Sequence, residues 1–107
     1  MVCKIPSEVA INSVVEIVMV PDVKAVDAVV FGKNGATKRC DENSLLIDME
    51  TASVIQTREF SGQLRGSWVD APVSGGTTAA ENGTLTIMAG GTKEEFSRAL
   101  PLLQVMG

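Results

Sequence analysis

Apolar and polar positions along the chain fall into alternating blocks of strand and helix period. Ser13 to Val20 reads Ser-Val-Val-Glu-Ile-Val-Met-Val, β-branched and almost continuously apolar. That is the pattern of a parallel strand covered on both faces. Pro21 and Asp22 stop it, and Asp22 is placed to cap a helix with Val23, Val26, Val29 and Val30 on one stripe, closed by Gly32. After a polar connection from Lys33 to Glu42 comes a short strand, Leu45 to Asp48. Ser53-Val54-Ile55-Gln56 then has the form of a capping box and opens a helix to about Leu64, ended at Gly66. A third strand, Ser67-Trp68-Val69, runs into Asp70-Ala71-Pro72-Val73-Ser74-Gly75-Gly76, and Thr77 to Glu81 reads as a short helix ended by Asn82-Gly83. A fourth strand, Thr84 to Ala89, leaves through Gly90-Gly91 into a second capping box, Thr92 to Glu95. The last helix places Phe96, Leu100 and Leu103 at helical spacing, and Pro101 is expected to bend it or strain its middle.

Strands alternating with helices predict an α/β fold, a mainly parallel sheet with flanking helices and right-handed crossovers. Thr77 to Asn82 is short for a crossover, so an antiparallel fourth strand is the alternative. In open α/β sheets ligands sit beyond the carboxyl ends of the strands. Val20-Pro21-Asp22, Asp48 to Ser53 and Asp70 to Gly76 line up there.

Composition narrows the chemistry. The 107 residues suffice for one domain with a modest core. Without a single histidine, His-based triads, His-liganded zinc and His general bases are excluded together. The net charge is −4, and the densest basic group, Lys33, Lys38 and Arg39, lies beside Asp41 and Glu42, so no nucleic-acid partner is expected. The apolar run from Val14 to Val20 is far too short to cross a bilayer, so no membrane association is expected. Cys3 and Cys40 show no metal-ligand spacing, and a reduced, cytoplasmic setting is the default expectation.

The segment from Asp70 to Gly76 carries the most specific signal. A strand that stops at Pro-x-Ser-Gly-Gly and restarts as a helix presents free N–H groups at its turn. Glycine lets another molecule approach them, and the helix start favours a carboxylate or phosphate. The plainer alternative is a tight strand-to-helix connection with no ligand.

Together with Asn82-Gly83-Thr84-Leu85-Thr86-Ile87-Met88 and Gly90-Gly91, this segment resembles the β-hydroxyacid dehydrogenase family, of 3-hydroxyisobutyrate dehydrogenase and tartronate semialdehyde reductase type. Val18-Met19-Val20-Pro21 and Leu45 to Thr51 look like two cofactor-side segments. The resemblance runs from about Ser7 to Gly107. It implies NAD(P)-dependent oxidation of a small 3-hydroxy acid, with NAD or NADP as cofactor. On it, Ser74, Gly75 and Gly76 hold the substrate carboxylate, and Val20, Pro21 and Thr51 lie along the cofactor.

The departures from the family pattern matter as much. No Gly-x-Gly-x-x-Gly turn follows a first strand, and the family's catalytic lysine belongs to a segment outside these residues. Residues 1–107 thus resemble the second part of a Rossmann-type dinucleotide-binding domain. On that resemblance they are expected to form a single partial NAD(P)-binding domain without the first βαβ unit and the C-terminal helical domain, and to be inactive alone. The alternative is a small-acid binding or oligomerisation module. An open first strand pairs readily with another chain, so a homo-oligomer is expected. Glu50 stands where the family has a small hydroxyl residue, either turned inward against cofactor phosphates or solvated in a loop. Trp68 is expected to serve packing, Met19, Met49 and Met88 the core, and Cys40 to be an ordinary free thiol. Asp48 and Asp70 end strands, as a carboxylate pair or as caps of the loops that follow.

Overall fold

The computed structural model describes residues 2–20, 22–50, 54–64 and 66–107. Its centre is a parallel sheet of β1 (Val15–Val18), β2 (Leu45–Asp48) and β3 (Ser67–Asp70), in that spatial order. Glu16, Leu46 and Trp68 stand in register, as do Val18, Asp48 and Asp70. β2 is buried at all four positions because it is flanked on both edges and covered on both faces.

The pleat sends alternate residues to opposite faces. On one face Val18, Leu46 and Trp68 meet Val26 and Val30 of α2 (Val23–Phe31) and Phe60 of α3 (Val54–Gln63), with Leu64 just beyond it. Both crossover helices therefore lie on the same side, as two successive crossovers of one hand require. Phe31, Phe60 and Trp68 form an aromatic cluster there, with Phe31 and Trp68 stacked at 6.2 Å and an interplanar angle of 2°. Trp68 is thus a packing residue, as its type predicts. On the other face Leu45, Ile47 and Val69 meet Ala99 and Leu103 of α5 (Lys93–Met106).

Asp22 caps α2 as expected, its Oδ1 accepting from the Ala25 N–H at 2.8 Å. The Thr92–Glu95 capping box is complete, and Glu95 Oε2 also accepts from the Trp68 N–H, which fastens the start of α5 to β3. Burial pushes the Glu95 carboxyl up, but the hydrogen bonds from Thr92, Trp68 and Ser67 outweigh it and hold it below the usual range. α5 runs unbroken through Pro101. Pro101 offers the Ser97 carbonyl no N–H there, but both residues are exposed, so that carbonyl is open to solvent. The capping box expected at Ser53 lies outside the described residues.

The expected fourth strand is antiparallel and shorter than its apolar run. β5 (Thr86–Ile87) pairs with β4 (Val73–Ser74), and Asp70 and Gly90 exchange backbone hydrogen bonds at 3.0 and 2.7 Å. Pro72 has no N–H to give, so the ladder between Asp70 and Val73 keeps only the bond from Met88 N–H to the Pro72 carbonyl. α4 (Gly76–Asn82) joins the two short strands.

Three expectations need correction. β1 is only partly covered on its α5 side: Val15 packs against that cluster, but α5 reaches mainly β2 and β3, and Ile17 is left 46% exposed. Met19, just past β1, is 56% exposed for the same reason. Met88 is 66% exposed because Ile87 and Ala89 on either side of it turn to the core. Only Met49 of the three methionines is buried. Two elements carried no strong periodic signal: α1 (Pro6–Ile11), and a 3₁₀ turn at Ala36–Lys38 that α1 packs against.

Candidate functional site

Parallel strands end on the same edge, so Val18, Asp48 and Asp70 stand side by side where the chain leaves the sheet. Three exits converge on this edge: Met19-Val20 after β1, Met49-Glu50 after β2, and Ala71-Pro72 after β3. The last leads through β4 into the Ser-Gly-Gly turn.

Ser74 is exposed at the end of β4. Gly75 occupies the N-cap position of α4 with φ 128° and ψ −13°, and Gly76 opens the helix with φ 68°. A Cβ on Gly75 would meet the Ala79 Cβ at 2.6 Å, whereas a Cβ on Gly76 would meet nothing within 4 Å. Gly75 is therefore required by backbone and space together, and Gly76 by backbone alone. With glycine at the N-cap there is no side chain to accept from the first helical amides. Among the described residues, no carbonyl outside the helix accepts from the N–H groups of Gly76, Thr77 and Thr78. These exposed donors suit an external acceptor, and α4 is so short that the local N–H groups matter more than its dipole.

A cavity of about 330 Å³, lined by Met19, Val73, Gly76, Thr77, Ala80 and Leu85, connects this turn with the exit of β1. The segment expected to hold a substrate and one of those expected to lie along a cofactor thus line one space. Val20 is half-buried and packs against the α2 face of the core. Pro21 and Thr51 lie outside the described residues.

The edge is strongly acidic. Asp48 is fully buried; its Oδ1 accepts from the Glu50 N–H at 3.0 Å, while its Oδ2 has no partner among the described residues. Burial, with the charges of Glu50 and Asp70 adding to it, pushes its carboxyl up to about 6. Asp70 is likewise raised by burial, and its Oδ1 has no partner among the described residues. Glu50 is only 9% exposed, and its Oε2 likewise lacks a partner among them. Burial and the neighbouring carboxylates of Asp22 and Asp70 raise it too. The solvated alternative for Glu50 is thereby set aside. Asp48 and Asp70 face one another as neighbours in register, and Asp48 also caps its own loop. The buried state of Glu50 had no signal in the sequence, because a Glu after a strand is usually solvated.

The NAD binding domain of 6-phosphogluconate dehydrogenase is a family whose pattern matches residues 1–107. The chain belongs to this family. Its relatives include the 2-hydroxy-3-oxopropionate reductase of Escherichia coli (strain K12), 44% identical over 93 residues, which are 84% of this chain and 32% of that protein. Among solved structures, 3-hydroxyisobutyrate dehydrogenase of Mycobacterium tuberculosis with L-serine superposes with a TM-score of 0.82 at 31% identity, over 95% of this chain and 35% of that one. Psf3 in complex with NADP+ and 2-OPP shares the fold, with a TM-score of 0.88 at 20% identity over 97% of this chain and 38% of that one. The chain spans about a third of the length of the curated relatives it matches.

For a member of an NAD-binding family, the carboxyl edge is the place to test the fit of a dinucleotide. Buried carboxylates repel phosphate, and these residues hold no Gly-x-Gly-x-x-Gly turn to cradle one. Glu50 Oε2, an acceptor without a partner among the described residues and with slight exposure, instead matches the nicotinamide end, with its ribose hydroxyls, amide and cationic ring. The residues fit that half of the cofactor. Among the described residues no group of His, Cys, Asp or Glu forms a metal site, and no helix is long and apolar enough to cross a membrane.

Proposed function

We propose that the chain supplies the substrate-carboxylate and nicotinamide-side part of an NAD(P)-dependent 3-hydroxyacid dehydrogenase of the 3-hydroxyisobutyrate type. Ser74, Gly75 and Gly76 hold the carboxylate of the small hydroxy acid, and Val20, Pro21 and Thr51 lie along the cofactor. The observation that carries this reading is the set of free, exposed N–H groups behind a glycine N-cap, opening into the cavity that reaches Met19. When bound, the nicotinamide supplies the hydride acceptor. The chain's own part is to anchor the acid and set its reacting carbon toward the edge. Residues 1–107 then bind by themselves without turning over. The free cysteines Cys3 and Cys40 suit a cytoplasmic setting.

Two measurements test this. Calorimetry with 3-hydroxyisobutyrate should give heat, and absorbance at the reduced-nicotinamide band should show no turnover with NAD or NADP. Absence of heat refutes the carboxylate site; clear turnover refutes the claim that the chain is inactive alone.

β1 favours a second, compatible reading. Its outer edge has no strand partner among the described residues, and Ile17, Val14 and Met19 are exposed beside it. Such an edge pairs with another strand, and a second copy of this chain offers one. Light scattering at high concentration should report a homo-oligomer that Ile17→Lys dissociates. A monomeric mass would rule it out.

A further inference from the structure

We propose that Glu50 makes this chain discriminate between the redox forms of its nicotinamide cofactor, favouring the oxidised one. The proposal rests on the dehydrogenase reading above and deepens it. Hydride transfer requires the nicotinamide ring beside the substrate, and the carboxylate turn at Gly76 shares its cavity with Met19 at the exit of β1. The reacting ring therefore belongs at the carboxyl edge.

That edge carries Asp22, Asp48, Glu50 and Asp70. Among the described residues, each charge that perturbs Asp48 or Glu50 is another carboxylate, and none is a cation. Glu50 Oε2 and Asp48 Oδ2, in residues 9% and 0% exposed, have no partner among the described residues, so no described group neutralises these carboxylates. A cation brought beside them is favoured over a neutral group. The oxidised nicotinamide ring carries one positive charge; the reduced ring is neutral. Asp48 is sealed in the core, while Glu50 stands last on the exit of β2 and keeps slight exposure. Glu50 is also the carboxylate that departs from the small hydroxyl residue of the resembled family. One unit charge at about 8 Å, in a dielectric between those of protein and water, changes affinity about fivefold.

The test is calorimetric binding of NAD+, NADH, NADP+ and NADPH to the full chain and to Glu50→Gln, which keeps shape and removes charge. The variant should lose about fivefold in affinity for the oxidised form and little or nothing for the reduced one. Asp22→Asn keeps the helix cap and should shift the ratio the same way by less. Glu94→Gln, in the first turn of α5, should leave it unchanged. Equal changes for both redox forms overturn this inference and leave the cofactor reading standing. Binding of none of the four compounds overturns both. Should Glu50→Gln fail to fold, an unchanged ratio in Asp22→Asn overturns the inference by itself.

Discussion

Replacing Gly75 by alanine should be far more damaging than replacing Gly76, although the two are adjacent and both have positive φ. At Gly75 the backbone stands at φ 128°, and the added methyl would lie 2.6 Å from the Ala79 Cβ. A sparsely populated backbone conformation costs about 1–3 kcal/mol, and relieving the methyl contact brings the total to about 2–4 kcal/mol. At Gly76 the backbone is left-handed at φ 68° with open space around the new methyl, so the cost is about 1 kcal/mol. α4 buries no residue, so the strain should open this helix locally rather than unfold the domain. Amide hydrogen exchange reads this directly. In Gly75→Ala, protection of the Gly83 and Thr84 amides, which bond back to Ala80 and Ala79, should fall to that of an open chain, with β2 amides unchanged. In Gly76→Ala it should fall only about fivefold. Equal effects of the two substitutions, or full protection in Gly75→Ala, would refute the reasoning about the turn.

Other outcomes follow from the buried titratable groups. Asp48 is held in the fold at about 6, above its ordinary 3.8, so its burial in neutral form stabilises fully below pH 3.8 and is lost as pH rises through about 6. Asp48→Asn should therefore gain about 1–3 kcal/mol relative to the parent above pH 6 and little below pH 4, by urea denaturation across that range. An unchanged pH profile would contradict this. The Cys40 thiol is buried, donates to Glu16 Oε1 at 3.3 Å, and is pushed up to about 12 by burial and by that carboxylate. A thiol reagent at pH 8 should modify only Cys3 in the native chain and both cysteines in denaturant. Native-state reaction of both at similar rates would count against it.

Much of the fold was legible because its signals are local. The Asp22 and Thr92–Glu95 caps, the valine stripe of α2 and the apolar block Leu45–Ile47 each state their element within a few residues. The Asp70–Gly76 turn was legible for the same reason: Pro72 ends a ladder, and two glycines permit the turn. Exposure at the borders depends on what packs across and leaves no mark on a single strand. Ile17 and Val15 look alike in sequence, yet Val15 packs against the core on the α5 side and Ile17 is left exposed. Cys40 and Glu16 are 24 residues apart and gave no hint of their hydrogen bond. Glu50 was visible as an odd residue, but its burial among Asp22, Asp48 and Asp70 is set by the convergence of three strand exits.

The central claim is that the glycine-capped turn after β4 takes a small hydroxy-acid carboxylate. Amide chemical shifts of the 15N-labelled chain, followed while 3-hydroxyisobutyrate is added, test it most directly. Saturable shifts confined to Ser74 through Thr78 and the neighbouring Met19 are the expected result. An unchanged spectrum at millimolar acid, or shifts centred elsewhere on the chain, would contradict the account.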